Sequence, residues 1–248
     1  MSAGRVAVVT GAGQGIGLGI ASALADDADT PVVIVDRHED RARASAARVG
    51  PSADWVVADV GVEADLDRLR TEVLDRHGRW DVLVNNAATL RTGGLREMSP
   101  ADWSAVLHGC VTTAWLCIRA AAEPMRETGG GRIINVTSIV AQGAPSVGLS
   151  AYTAAKSAIQ GLTLSAAQEL GPDGTTVNCV SPGAVVTDAW ARIGDPEAMR
   201  AERAASSVLG RVADPREIGE AVRYLASPAA GFVTGQTLVV DGGRTDKL

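Results

Sequence analysis

Tyr152 and Lys156 stand four positions apart in AYTAAKSA (151–158), in a chain of 248 residues with only two tyrosines. On a helix that spacing puts both side chains on one face, one turn apart. A free phenol, with a pKa near ~10, is a poor proton acceptor at neutral pH. A nearby ammonium, or the positive ring of an oxidised nicotinamide, stabilises the phenolate and lowers that value. A phenol tuned in this way can exchange a proton with an alcohol while hydride moves to or from a nicotinamide. Ser138, fourteen residues upstream, follows a β-branched run, and its hydroxyl can hydrogen-bond a carbonyl or developing alkoxide. Alone, a Tyr-x-x-x-Lys pair is most often a solvated helix face. Tyr224, in AVRYLAS, has no lysine four residues on and reads as a helix packing residue.

A second chemical signal lies near the amino end. The run RVAVVT (5–10) leads into Thr10-Gly11-Ala12-Gly13-Gln14-Gly15-Ile16-Gly17. Glycines there let the backbone turn sharply and approach a phosphate, and the helix that follows offers unpaired N–H groups and the positive end of its dipole. Ile16 stands where G-x-G-x-x-G would need its third glycine, and no G-K-[ST] supports an ATPase. Asp36 closes the second apolar run, nineteen residues after Gly17. A carboxylate there accepts hydrogen bonds from an adenosine ribose and repels a 2′-phosphate, which favours NAD over NADP. Arg37 follows and could pair with that phosphate, whereas Gln14, inside the turn, adds no positive charge.

These groups need a scaffold, and the hydrophobic pattern supplies one. Runs at 5–10, 32–36, 54–59, 81–85, 132–137, 175–180 and 237–241 are almost continuously apolar, as strands covered on both faces must be. Helical spacing fills 15–26, 39–49, 63–77, 101–126, 151–170 and 214–226. Strand and helix in alternation predict an α/β, Rossmann-type, doubly wound parallel sheet of about seven strands. No linker or low-complexity tract divides 1–248, so one dinucleotide-binding and catalytic domain is expected. The stretch at about 187–213 reads as short helices forming a lid over the substrate.

Composition narrows the partners. Hydrophobic residues are 46% of the chain and aromatics only 3%, so the core is aliphatic and small-residue packed. The net charge of −6 mixes both signs and lacks the basic stripe that nucleic acid or an anionic membrane requires. The start of the chain reads as a strand pattern rather than a signal peptide, and no apolar run is expected to approach a membrane span. Cys110, Cys117 and Cys179 are odd in number without C-x-x-C, and seven helical residues separate the first two by about 10 Å, too far for a bridge. A reducing, cytoplasmic setting follows. His38, His77 and His108 are scattered, so no metal site is expected.

Taken together the motifs resemble the short-chain dehydrogenase/reductase family over nearly the whole chain. TGAGQGIG fits the family's T-G-x-x-x-G-x-G; Asp59-Val60 fits its adenine position; Asn85-Asn86-Ala87-Ala88 resembles N-N-A-G with Ala88 for Gly. Ser138 and Tyr152-x-x-x-Lys156 fit its catalytic set. Asn178 to Pro182-Gly183 with Thr187 resembles N-x-x-x-P-G-x-x-x-T, and Thr234-Gly235-Gln236 with Asp241-Gly242-Gly243 its closing motifs. The resemblance implies that Tyr152 is the general acid/base, Ser138 orients the substrate oxygen, and Lys156 binds the nicotinamide ribose. It also implies pyrophosphate on Gly11, Gly15, Ile16 and Gly17, and nicotinamide contacts from Asn86, Ala87, Pro182, Gly183, Val185 and Thr187. A homo-oligomer, tetramer before dimer, would use helices 101–126 and 151–170. One departure stands out: seven residues after Trp103, where the family often has an Asn that supports a proton relay, stands Cys110. A thiol is a weak hydrogen-bond partner, so the relay is slower, differently wired or lost.

The reading that results is an NAD-dependent oxidoreductase interconverting a secondary alcohol or diol and a ketone, with Ser138, Gln142, Tyr152 and Trp190 toward the substrate. Leu90 to Gly94, the rest of 142–150 and Met199 are further pocket candidates. A 3-oxoacyl thioester reductase, which LGRVADPREIGEAVRYLAS also resembles, is the runner-up; Asp36 weighs against it, because such reductases usually take NADPH. A nucleotide-binding protein with little turnover would explain Cys110 but not the intact Ser138, Tyr152 and Lys156.

Overall fold

The computed structural model describes residues 4–27, 30–143, 146–187 and 195–244. Seven parallel strands, β1 (Ala7–Thr10), β2 (Val32–Asp36), β3 (Ala53–Val57), β4 (Val82–Asn85), β5 (Arg132–Val136), β6 (Thr176–Pro182) and β7 (Thr237–Val240), lie in spatial order 3-2-1-4-5-6-7. The helices are α1 (Gly15–Leu24), α2 (Glu39–Val49), α3 (Glu63–His77), α4 (Pro100–Leu107), α5 (Thr113–Glu127), α6 (Ser150–Leu170), α7 (Pro196–Ala205) and α8 (Pro215–Ala226).

Alternation along each strand feeds two cores. Val8, Val33, Val35, Leu83, Ile133 and Val177 point to one side and meet Leu69 of α3 and Leu116 and Met125 of α5. Val9, Val32, Ile34, Val84, Ile134 and Val180 point to the other, against Ile20 and Leu24 of α1 and Ile218 and Val222 of α8. Both faces are thus covered, as the apolar runs require. Beneath the carboxyl ends runs a buried polar ladder. Asn85 Nδ2 donates to Asn135 Oδ1 (2.8 Å), and Asn135 Nδ2 donates to Thr163 Oγ1 (2.8 Å). Thr163 spends its own proton on the Ile159 carbonyl (2.8 Å), so the Cys179 thiol, 3.0 Å away, is the donor of that contact. Burial raises the Cys179 pKa, which keeps the proton on sulfur.

Several boundaries differ from the sequence reading. β1 begins at Ala7, not Arg5, because the Val6 N–H is taken by the Asp81 carboxylate (2.8 Å) and Arg5 reaches the Ala226 carbonyl. β6 runs two residues past 180, because β7 continues the ladder opposite Ser181 and Pro182. The helix expected at 101–126 is broken into α4 and α5 by a π-turn, His108–Thr112. Counted as one piece, Pro100–Glu127 is long and apolar enough to cross a membrane by length and composition alone, contrary to the expectation that no run is. Its apolar side is spent on the core through Val106, Cys110, Leu116 and Met125. Tyr224, expected to pack inside, lies 48% exposed, because α8 turns Ile218, Val222 and Leu225 inward instead. Of the expected lid, α7 occupies 196–205, and 188–194 fall outside the described residues.

α1 and α8 touch through glycine. A Cβ on Gly219 would lie 2.6 Å from the Gly19 carbonyl oxygen, and one on Gly19 would collide with Pro215. Overpacking such a contact costs about 1–3 kcal/mol. Gly219→Val is therefore expected to lower stability by at least that much and to weaken dinucleotide binding by shifting α1; urea unfolding and NADH titration check both.

Candidate active site

The connections leave β1 and β4, adjacent in the sheet, in opposite directions and open a crevice at their carboxyl ends. Its floor is stitched by side chains. Thr10 Oγ1 donates to the Val84 carbonyl (3.2 Å) and accepts from the Asn86 and Ala87 amides (3.1 Å each). Asn86 Nδ2 donates back to the Thr10 and Gly11 carbonyls (3.0 Å each). The fit leaves no room for side chains: a Cβ on Gly17 would lie 2.5 Å from Asn86 Nδ2, and one on Gly11, whose φ is +62°, 2.8 Å from Ala87 Cα.

From this floor α1 follows the extended Gln14, with no side-chain cap and no acidic residue in its first turn, so its leading N–H groups are available to an anion. Asp36, at the end of β2, is 9% exposed. Its Oδ2 accepts from the Gly13 amide (3.2 Å) and its Oδ1 from the His38 amide and Nδ1 (3.0 Å each). A Cβ on Gly13 would lie 2.5 Å from that Oδ2. Thr10, Gly13 and His38 are thus site residues that the sequence reading left unassigned; the leading Thr of T-G-x-x-x-G-x-G was the available signal for the first.

One cleft of about 800 Å³ runs along the sheet edge and gathers Gly11, Gln14, Gly15, Ile16 and Gly17, then Asp36 and Arg37 and, beyond them, Asp59 and Val60. Asn86, Ala87, Ser138, Tyr152, Lys156, Pro182, Gly183 and Thr187 line its other end, so the structure brings these expected residues together. A second cavity, about 610 Å³, shares Ser138, Tyr152 and Thr187 with the first and adds Val185, Met199 and Leu209. Gln142 lines neither: it sits in the short turn 139–142, which offers Ile139 and Val140 to the cavity instead. Arg91 falls on the first cleft, not the second. Trp190 lies outside the described residues.

Lys156 is only 2% exposed, and its Nζ donates to the carbonyl of Val136 (2.7 Å), at the tip of β5. The ammonium lies 5.5 Å from the centre of the Tyr152 ring, one turn back along α6. Ser138, between β5 and the turn, is extended and accepts from the Val140 amide (3.4 Å). The far wall of the second cavity is held by the end of the described chain: the Val208 amide donates to the Gly243 carbonyl (2.6 Å), and the Leu209 amide and Ser207 Oγ to that of Gly242 (3.1 and 3.0 Å). Beside it Arg211 forks onto Glu217 (2.7 Å twice), and with the Asp214 amide holds that carboxyl down at about 2.

A family model described as enoyl-(acyl carrier protein) reductase matches residues 11–245. The chain is 39% identical, over 96% of its length and 93% of the relative's, to the short-chain reductase protein NovJ of Streptomyces niveus. It belongs to the short-chain dehydrogenase/reductase family. Other members are as similar: the L-2,3-butanediol dehydrogenase of Corynebacterium glutamicum (39%, covering 96% of this chain and 98% of that one) and a 3-oxoacyl-[acyl-carrier-protein] reductase of Synechocystis (39%, 96% and 96%). As a short-chain dehydrogenase/reductase it binds a nicotinamide dinucleotide. Against the family pattern, Cys110 is 1% exposed, packs with Val106, Ala151, Ala155 and Ile159, and turns its Sγ to the Thr89 carbonyl (3.4 Å). The thiol fills core and ties the β4 loop to the π-turn.

Removing the Thr10 hydroxyl strands two amides at the crevice floor, each a loss of about 1–3 kcal/mol where burial is complete. Thr10→Val is expected to lower the urea midpoint and weaken NADH binding, while Thr10→Ser retains both.

Proposed function

We propose that this chain is an NAD-dependent oxidoreductase interconverting a secondary alcohol, or a diol, and a ketone. The observation that carries the proposal is the joining of the two cavities at Ser138 and Tyr152, with buried Lys156 behind the ring and Asp36 along the cleft. The residues present fit the dinucleotide. Gly11 and Gly17 leave the backbone bare where a pyrophosphate would approach, and the uncapped start of α1 faces it. Lys156 uses one of its three N–H donors on Val136, leaving two for ribose hydroxyls. On Asp36 the His38 contacts fill Oδ1, while Oδ2 keeps a lone pair beside Gly13 for the adenosine ribose. A 2′-phosphate would meet that carboxylate, so NAD is preferred.

When bound, the nicotinamide supplies the hydride acceptor for oxidation and the hydride donor for reduction. The chain supplies the rest. Ser138 Oγ donates to the substrate oxygen and fixes its position. Tyr152 Oη takes the hydroxyl proton as the alcohol is oxidised and returns one when a carbonyl is reduced. Lys156 orients the ribose and sets its charge against the tyrosine ring. Asp59 and Val60 flank the adenine, Asn86, Ala87, Pro182, Gly183, Val185 and Thr187 the nicotinamide half. We also infer a homo-oligomer, a tetramer before a dimer, in a reducing cytoplasmic compartment. Trp115 and Leu164, exposed on α5 and α6, are the contact candidates.

The test is NADH formation from NAD across a panel of secondary alcohols and diols at mildly alkaline pH, where the released proton is removed. Tyr152→Phe is expected to lower kcat/KM by about 10²–10⁴-fold while NADH binding persists; Ser138→Ala is expected to act in the same sense. Asp36→Ala is expected to narrow the preference for NAD over NADP. The Synechocystis relative, equal in identity, favours a second reading, reduction of a 3-oxoacyl thioester. Faster turnover of acetoacetyl-CoA with NADPH than of any alcohol with NAD would establish that reading in place of the first.

A further inference from the structure

The first cleft continues past Asp36. Its end is bounded on one side by Arg37 and Arg41, underneath by Asp59 to Val62 at the tip of β3, and across from these by His108. His108 is exposed, and its ring makes no hydrogen bond or ion pair among the described residues, unlike that of His38, which is spent on Asp36. Its backbone is nonetheless fixed at the junction of α4 and the π-turn: its amide donates to the Ser104 and Ala105 carbonyls, and its carbonyl accepts from the Thr113 amide. Gly61 makes room for the ring, because a Cβ there would lie 2.9 Å from His108 Nε2. An exposed imidazole with no hydrogen-bond or ion-pair partner among the described residues is therefore set on the wall of the groove, its Nε2 edge against Gly61.

We propose that His108 is a specificity-determining residue for the cofactor: its imidazole packs on the adenine base and closes the end of the dinucleotide groove. The inference rests on the cofactor reading given above and adds a residue to it. With the nicotinamide end at Tyr152 and the adenosine ribose at Asp36, the base falls at this end of the groove, beside Asp59 and Val60 and against the open face of the ring. A heteroaromatic ring on a purine gains from offset stacking as well as from buried area. His108 has no part in the proton transfer, so its contribution is to affinity and to the choice of base.

Equilibrium binding of AMP, NADH and reduced nicotinamide mononucleotide to the full-length protein, followed by calorimetry, separates the two halves of the groove. His108→Ala is expected to weaken AMP and NADH alike, by about three- to tenfold, and to leave the mononucleotide unchanged. His108→Phe, which keeps a flat face, is expected to restore AMP affinity. Unchanged AMP affinity in His108→Ala overturns the proposal, and so does an equal loss for AMP and the mononucleotide, the mark of a merely structural role. Wild-type protein that binds none of the three overturns the cofactor reading itself, a result distinct from either.

Discussion

Everything at the working edge of this sheet depends on how β1 meets β4. The two strands are neighbours in space but 72 residues apart at Thr10 and Val82 in the chain, and the crevice between their tips is held open by one hydroxyl and one carboxamide. Thr10 and Asn86 satisfy each other's backbones where the ladder ends and no further strand pairing is available. The glycines of the following turn sit against those same groups, so the phosphate-facing backbone takes its position from a contact in the sheet. α1 inherits that position, and its glycine seam with α8 passes it to the wall of the second cavity through Asp214, Glu217 and Arg211.

Polar groups buried next to this edge are costly, and their arrangement explains why they persist. An ammonium nearly sealed from water, with the Val136 carbonyl as its one hydrogen-bond acceptor among the described residues, forgoes solvation that a carboxylate would normally offset. The ladder from Asn85 to Cys179 is different in kind, because most of its donors find an acceptor and it binds three strands and α6 into one unit below the reactive groups. The first arrangement is suited to a ligand; the second holds the frame around it.

Much of this was legible in the chain, because burial on both faces leaves continuous apolar runs that few other folds require. The strands, the turn at Gly11–Gly17, and the clustering of Ser138, Tyr152 and Lys156 followed from residue type and spacing. The π-turn did not: Val106, Cys110, Thr113 and Cys117 keep a spacing that an uninterrupted helix would also show. The ligation of Asp36 by Gly13 and His38 depends on how closely β2 approaches the turn, which no local pattern encodes. Gln142, polar and between Ser138 and Tyr152, reads as a pocket residue, yet the tight turn at 139–142 presents Ile139 and Val140 instead. Tyr224 misled for the converse reason, an aromatic on an amphipathic helix whose buried face was already filled.

The strap between 207–209 and 242–243 gives the cavity a place in time as well as in space. Tyr152 is made ninety residues before Gly242, and Ser138 fourteen earlier still. Until 242–243 are made, Val208 and Leu209 have no carbonyls there to bind. The nascent chain therefore carries Ser138 and Tyr152 on an open edge, and the second cavity gains this wall only once Gly242 and Gly243 have left the ribosome.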